Sequence, residues 1–332
     1  MPVRLLSARV SSLASFPQLS NRRQLERLNR LDARAGSALR WLALLGGAAV
    51  FLALMAIVYQ VISGASLALS RYGISFVGRR QWSPAVGRFG ALALLYGTLV
   101  TSVCSVAVAT VLGVAIGLFL SLMAPRRVAA VVGPLVEMLA AIPSVVLGLV
   151  GIYLIAPFVL NNIEAPLHSV LGFIPLFGPP GTVGNSDFTA SLVLVIMVVP
   201  IIAALSRDVF LTVPSELREG AEALGATRLE VIRGAVLSTT HSGVIAACML
   251  GFGRAIGEAI AVTQVIGNIT QISHNLFAPG DTLGSLIANQ FLTPVSALHT
   301  ASMFYLALVL LVLELATMLL ARYVSRHFGS RR

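Results

Sequence analysis

Residues 188–210 read FTASLVLVIMVVPIIAALSRDVF. No charged side chain interrupts the run before Arg207. Its length suits a helix crossing a hydrocarbon core of about 30 Å, which takes roughly 20 apolar residues. Reading outward from this run, five others of similar character appear. The predicted spans are about 41–63, 91–123, 133–158, 188–210, 242–268 and 301–323. The predicted fold class is all-α, a polytopic membrane protein with six transmembrane helices. Composition agrees: 57% of residues are hydrophobic and 11% charged, with a mean hydropathy of +0.91, whereas about a quarter of a soluble domain is charged. A soluble enzyme is excluded at this hydropathy.

The net charge of +10 is carried by 23 arginines, with no lysine. A P-loop needs G-x-x-x-x-G-K-[ST], with its Lys on the β/γ-phosphates. This chain cannot form one, so any ATP and Mg chemistry belongs to a partner, and no cofactor is expected in the chain itself. The basic excess reads as loops obeying the positive-inside rule, with no nucleic-acid partner. With the N-terminus inside, the 1–40 tail, the 124–130 loop, the 207–240 loop and the C-terminal 326–332 tail with its approach hold all but five arginines. Arg71, Arg79, Arg80 and Arg88 fall in the first outer loop, and Arg254 falls within a span. The bias predicts both termini inside. Cys104 and Cys248 sit in apolar runs and read as small buried hydrophobes. The histidines show no metal spacing.

Two readings of the 1–40 tail stand. Leu25, Leu28, Leu31 and Leu39 recur at near-helical spacing among Arg22, Arg23, Arg27, Arg30 and Arg34, as in a basic amphipathic helix on an anionic leaflet. A disordered basic tail has the same composition. The first outer loop reads as an ordinary solvated loop or as an attractor for an anion. Loop 159–187 is long and apolar enough to hold short helices at the outer interface.

The longest inner loop, 211–240, contains VPSELREGAEALGATRLEVIRGAVL. Ser215 is placed to cap a helix after Pro214. Gly225 is placed to end that helix in the left-handed conformation, and Thr227 with Glu230 forms a capping box opening a second. The loop is therefore predicted to be helix–turn–helix. The same spacing also fits an amphipathic connector with a solvated charged face.

Glu219-Gly220-Ala221, three residues, then Gly225 resembles the coupling loop of ABC importer permeases, in which a short helix docks on the ATPase. Leu237 matches the family's downstream pattern; Ala235 and Ser238 depart from its Ile and Pro, and Gly220 from its Ala. VPIIAALSRDVF (199–210), EMLAAIPSVVLGLVGIYLIAPF (137–158), GFGRAIGEAIAVTQVIGN (251–268) and FAPGDTLGSLIANQF (277–291) resemble the phosphate-specific ABC permeases, C-type subunit (the PstC family). The resemblance covers about residues 40–325. It implies a type I, MetI-like permease domain over 41–325 in a bacterial inner membrane. It further implies a homologous A-type permease, two ATP-binding ATPase subunits, an extracytoplasmic phosphate-binding protein, inorganic phosphate and membrane lipid as partners.

An ionisable group at mid-bilayer costs about 2.5–3.5 kcal/mol on insertion scales. Arg254 and Glu258 lie in the fifth run four residues apart, so they share a helix face and can pair. One reading is a salt bridge holding the bundle. The other is an anion path, in which the planar guanidinium fork meets phosphate and Glu258 positions it; the resemblance implies this role for both. Glu137, ahead of the Pro143 kink, is a further candidate for the path, or an acid reaching to the inner interface. Glu314 has no evident partner. Gly113/Gly117 and Gly253/Gly257 have the spacing of close helix packing. Two other classes stay open: an ABC permease for another oxyanion such as sulfate or molybdate, against which the 251–268 segment argues, and a secondary transporter acting alone, for which no internal repeat is seen.

Overall fold

The computed structural model describes residues 22–329. In chain order the principal helices are α1 (Arg22–Tyr72), α2 (Leu92–Met123), α3 (Arg126–Ala140), α4 (Ser144–Leu171), α5 (Asp187–Leu211), α6 (Ser215–Ala223), α7 (Arg228–Ile256), α8 (Ile260–Val265), α9 (Leu283–Gln290) and α10 (Ala297–Gly329). Among the described residues there is no β-strand, only the isolated bridges Ser83–Arg88 and Gly267–Gly280. Six helices are long and apolar enough to cross a membrane: α1 from Leu39 onward, α2, α4, α5, α7 and α10. The expected all-α, six-span architecture is the one observed.

The chain divides into two compact units, Met1–Gln60 and Val61–Arg332. In the first, the stretch of α1 from Leu39 exposes Trp41, Leu45, Phe51 and Leu52, a surface suited to lipid. The tail side chains from Leu25 to Arg34, on which the amphipathic reading rested, lie outside those described.

Two spans differ from the apolar runs. The run at 133–158 is cut into α3 and α4, because Pro143 has no N–H to give and biases Ile142 away from helical geometry. The expected kink is a full break, and the membrane-length helix starts only at Ser144. The run at 242–268 is cut between α7 and α8, while α7 begins at Arg228. The second helix of the 211–240 loop runs on into the span, and its polar residues hide that continuity from a hydropathy reading.

In the second unit, α2 and α5 pack through glycine. A Cβ at Gly113 would stand 2.8 Å from Ile202 Cβ, and one at Gly117 3.0 Å from the Ala203 carbonyl and from Ser206 Cβ. This is the close approach expected of the pair. The expectation fails for Gly253, where a Cβ would meet nothing within 4 Å. Gly251, two residues earlier, does abut α5, where a Cβ would stand 2.9 Å from Ile202 and Val198 side chains; a two-residue shift turns a helix position by about 200°. Buried hydroxyls along α2 return to their own helix. Thr98 donates to the Leu94 carbonyl at 2.8 Å and Ser102 to the Thr98 carbonyl at 2.6 Å. Thr98 Oγ1 also accepts from Leu283 N–H at 3.0 Å, tying the start of α9 to α2. Around this joint Phe76 stacks on Tyr305 at 4.3 Å between ring centroids, within a cluster that includes Phe89, Leu94 and Leu286.

The connecting segments are locally engaged. Arg79 lies over the Tyr72 ring at 4.9 Å and donates to Ser75 Oγ, and Arg88 donates to Gln81. Within 159–187, α4 continues to Leu171 and a 3-10 turn follows at Pro175–Phe177. Cys104 and Cys248 are free thiols, each half-buried.

Candidate functional site

α7 stops at Ile256. Gly257 N–H still bonds the Gly253 carbonyl at 3.1 Å, but Glu258 N–H reaches only the Ala255 carbonyl, at 3.4 Å, and the regular helix resumes at Ile260 with α8. Glu258 fills the break. Its Oε1 accepts from Ala261 N–H at 3.2 Å and its Oε2 from Arg254 Nη1 at 2.6 Å. Both carboxylate oxygens are therefore used, and the side chain is 4% exposed. Arg254 and Glu258 do pair, but across a break rather than along one helix face. The distinction has a physical consequence: the acid is fixed to the backbone while the base is presented, with 43% of the Arg254 side chain exposed. Arg254 also occupies the last turn of α7, where the helix dipole favours a cation. Its other N–H groups have no partner among the described residues.

Arg254 lines a cavity of about 610 Å³ with Met249 and Leu250 of α7, Ile201 of α5, and Glu314, Thr317 and Arg322 of α10. Glu314 is the residue that sequence reasoning left without a partner. Its Oε1 stands 2.7 Å from where a Cβ of Gly257 would be, so the glycine between Arg254 and Glu258 is what admits it. The sequence signal existed only as two separate facts, a glycine in one span and an acid in another.

Glu137 lies elsewhere. It accepts from Arg207 Nη1 of α5 at 3.1 Å and is 54% exposed, against 23% for Arg207. Gly133, one turn earlier on α3, makes room for the guanidinium: a Cβ there would stand 2.9 Å from Arg207 Nη1. Glu137 does not line the cavity that holds Arg254.

The 211–240 loop is helix–turn–helix. α6 begins at Ser215 itself, with Pro214 in the capping position and no side-chain cap. The expected Ser215 cap is therefore corrected: Pro214 takes the extended conformation that precedes a helix (φ −55°, ψ 139°), and Ser215 is already inside. Gly225, at φ +84°, closes the helix. Ala226 N–H bonds the Ala221 carbonyl at 3.1 Å and Gly225 N–H the Glu222 carbonyl at 2.9 Å, the pair of bonds of a Schellman turn. The Thr227/Glu230 capping box then opens α7. Glu219, Gly220 and Ala221 all lie on α6, and a Cβ at Gly220 would meet nothing within 4 Å. Leu237 ends a segment, Ile232–Leu237, wound with i→i+5 bonds. Ser238, where the ABC pattern has Pro, donates its hydroxyl to the Gly234 carbonyl and lets the helix continue.

Three buried acids were not anticipated. Glu164 accepts from Ser186 Oγ, the N-cap of α5, at 2.6 Å. Asp187 is 4% exposed, beside Gly280. Asp281 accepts from Thr282 N–H at 2.9 Å and from Ser285 Oγ at 2.5 Å; burial pushes its carboxyl up to about 6. None of the three lines the cavity that holds Arg254.

With this geometry in hand, relatives become informative. The family model of the binding-protein-dependent transport system inner membrane component matches residues 113–330. The phosphate transport system permease protein PstC of Mesorhizobium japonicum is 39% identical over 300 residues, covering 89% of this chain and 88% of that one. The PstC protein of Pasteurella multocida is 38% identical over 278 residues, covering 82% and 86%. The chain belongs to the PstC family. A PstC-type chain is the transmembrane permease subunit of an ATP-driven phosphate importer, and that is the function of this one. It is a multi-pass inner-membrane protein. A chain of the inward-facing MetNI methionine ABC transporter superposes with a TM-score of 0.51, over 70% of this chain and 93% of that one, at 17% identity. At that identity the likeness concerns fold, and the PstC chain has the MetI-like permease fold.

Proposed function

We propose that phosphate crosses the membrane past Arg254, with Glu258 as the fixed acid that positions the guanidinium and keeps the site too weak to trap the ion. The observation that carries this reading is the asymmetry of the pair: an anchored, 4% exposed acid and a 43% exposed base on a 610 Å³ cavity. A planar guanidinium with unused donors matches phosphate oxygens. Ionisable side chains within a span turn to protein or water, not to lipid. The face carrying Arg254 and Glu314 is therefore the one that a homologous A-type permease completes, so that two chains line the path.

Both termini lie on the cytoplasmic side, the side on which the arginine bias puts the 211–240 loop. α6, with Glu219, Gly220 and Ala221, docks on one of two ATPase subunits, and Gly225 and Leu237 shape its turn and its continuation into α7. ATP and Mg are bound by those subunits, because a chain without lysine has no P-loop. An extracytoplasmic phosphate-binding protein delivers the ion from the other side. Glu137, paired with Arg207, braces α3 against α5 rather than meeting phosphate.

The deciding experiment is Arg254→Gln in the complex of both permeases and the ATPase, reconstituted with the phosphate-loaded binding protein. Co-purification of the subunits is expected to be unchanged and uptake of labelled phosphate to be lost. Persistent uptake would remove Arg254 from the path.

A further inference from the structure

Glu314 lies in the middle of α10, where a lone carboxylate is costly. Among the described residues it has no hydrogen-bond donor and no cation within pairing distance. Its Oε1 nevertheless reaches the α7 break at Gly257, the residue before Glu258, where it stands 2.7 Å from the place a Cβ would take, and it shares the Arg254 cavity. Arg322, the other cation lining that cavity, lies eight residues further along α10. That is about 12 Å along the axis, beyond pairing reach. Arg254, which shares the cavity, is in this conformation held by Glu258.

We propose that Glu314 is a second acceptor for Arg254, one that competes with phosphate and drives its release. The inference rests on the reading of Arg254 as the phosphate contact. Glu258 has spent both oxygens on Arg254 and on Ala261 N–H, so it holds the arginine without displacing anything. Among the described residues neither Glu314 oxygen has a donor, and Glu314 lines the same cavity as Arg254. A carboxylate there repels phosphate and takes over the donors that phosphate leaves. α7 and α10 are packed together, so small sliding between them changes the Arg254–Glu314 distance; the release step follows from that motion. Gly257 is the feature that permits it, since any Cβ would push the carboxylate away.

The test uses the whole complex with its binding protein in proteoliposomes, and labelled inorganic phosphate as the probe. Glu314→Gln preserves shape and removes charge. It is expected to slow uptake about tenfold at saturating loaded binding protein, and to raise severalfold the phosphate retained per complex after rapid gel filtration. Gly257→Ala, which displaces the acid without removing it, is expected to shift both readouts in the same direction, and Glu314→Asp to be intermediate. A purely structural role would lower retention together with uptake, and that result overturns the proposal, as does wild-type behaviour of Glu314→Gln. Loss of uptake in Arg254→Gln alongside wild-type behaviour of Glu314→Gln sinks this inference alone. Uptake surviving Arg254→Gln sinks the path reading beneath it.

Discussion

Two arginine–glutamate pairs join helices of this permease, and their burial is reversed. In Arg254–Glu258 the acid is 4% exposed and the base 43%; in Glu137–Arg207 the base is 23% exposed and the acid 54%. The first fixes a carboxylate and offers a cation to a cavity. The second seats a cation against Gly133 and leaves the carboxylate outward. An anion gains from the first arrangement and is repelled by the second. Identical residue types at similar separation, 2.6 and 3.1 Å, therefore support opposite roles. What differs is which partner the backbone holds: Glu258 caps the restart of a broken helix, whereas Glu137 hangs from a continuous one.

Charge exchange probes this contrast most strongly. Arg254→Glu with Glu258→Arg is expected to abolish phosphate uptake, because the exchanged pair presents an anion to the cavity. Arg207→Glu with Glu137→Arg keeps a pair without facing the path and is expected to retain at least about half of the uptake, as exposed pairs contribute little. Similar losses in both exchanges would break the comparison. Stability separates the pairs next. Glu258→Ala removes two hydrogen bonds to a buried carboxylate and is expected to cost about 2–3 kcal/mol, while Glu137→Ala costs under about 1 kcal/mol; thermal unfolding of the purified complex measures both. Glycine substitutions then separate packing from charge. Gly113→Ala forces a contact with Ile202 and is expected to cost about 1–3 kcal/mol, whereas Gly253→Ala, beside Arg254, meets nothing within 4 Å and is expected to leave uptake unchanged with no loss of melting temperature. The smallest effect belongs to α6. Gly220→Ala is expected to raise stability by about 0.5–1 kcal/mol through helix propensity alone; a loss of ATPase co-purification instead would show that the partner's groove needs the bare glycine.

Legibility followed the physics of each feature. Hydropathy marks where an apolar run lies, so α2 and α5 match their runs closely. It is blind to breaks inside a run. Pro143 was visible as a kink but not as a boundary, and Gly257-Glu258-Ala259 carries no signal that α7 stops there. Capping chemistry is local, so Gly225 and the Thr227/Glu230 box could be read directly, whereas Ser215 was misassigned by one position because Pro214 itself serves as the cap. Arg207 was missed as the partner of Glu137 because 70 residues separate them.

By itself the sequence determined the six apolar helices, the helix–turn–helix between the fourth and fifth, the absence of a lysine-bearing ATP site, and an arginine and a glutamate near enough in the chain to meet. These are consequences of composition and of spacing within a few residues. Only the tertiary structure decided which acid is anchored and which base is presented. It also decided that Glu137 belongs to Arg207 and that Glu314 reaches the Arg254 break through the space left by Gly257. Each of these depends on helices far apart in the chain coming within a few ångströms, and no local pattern encodes that approach.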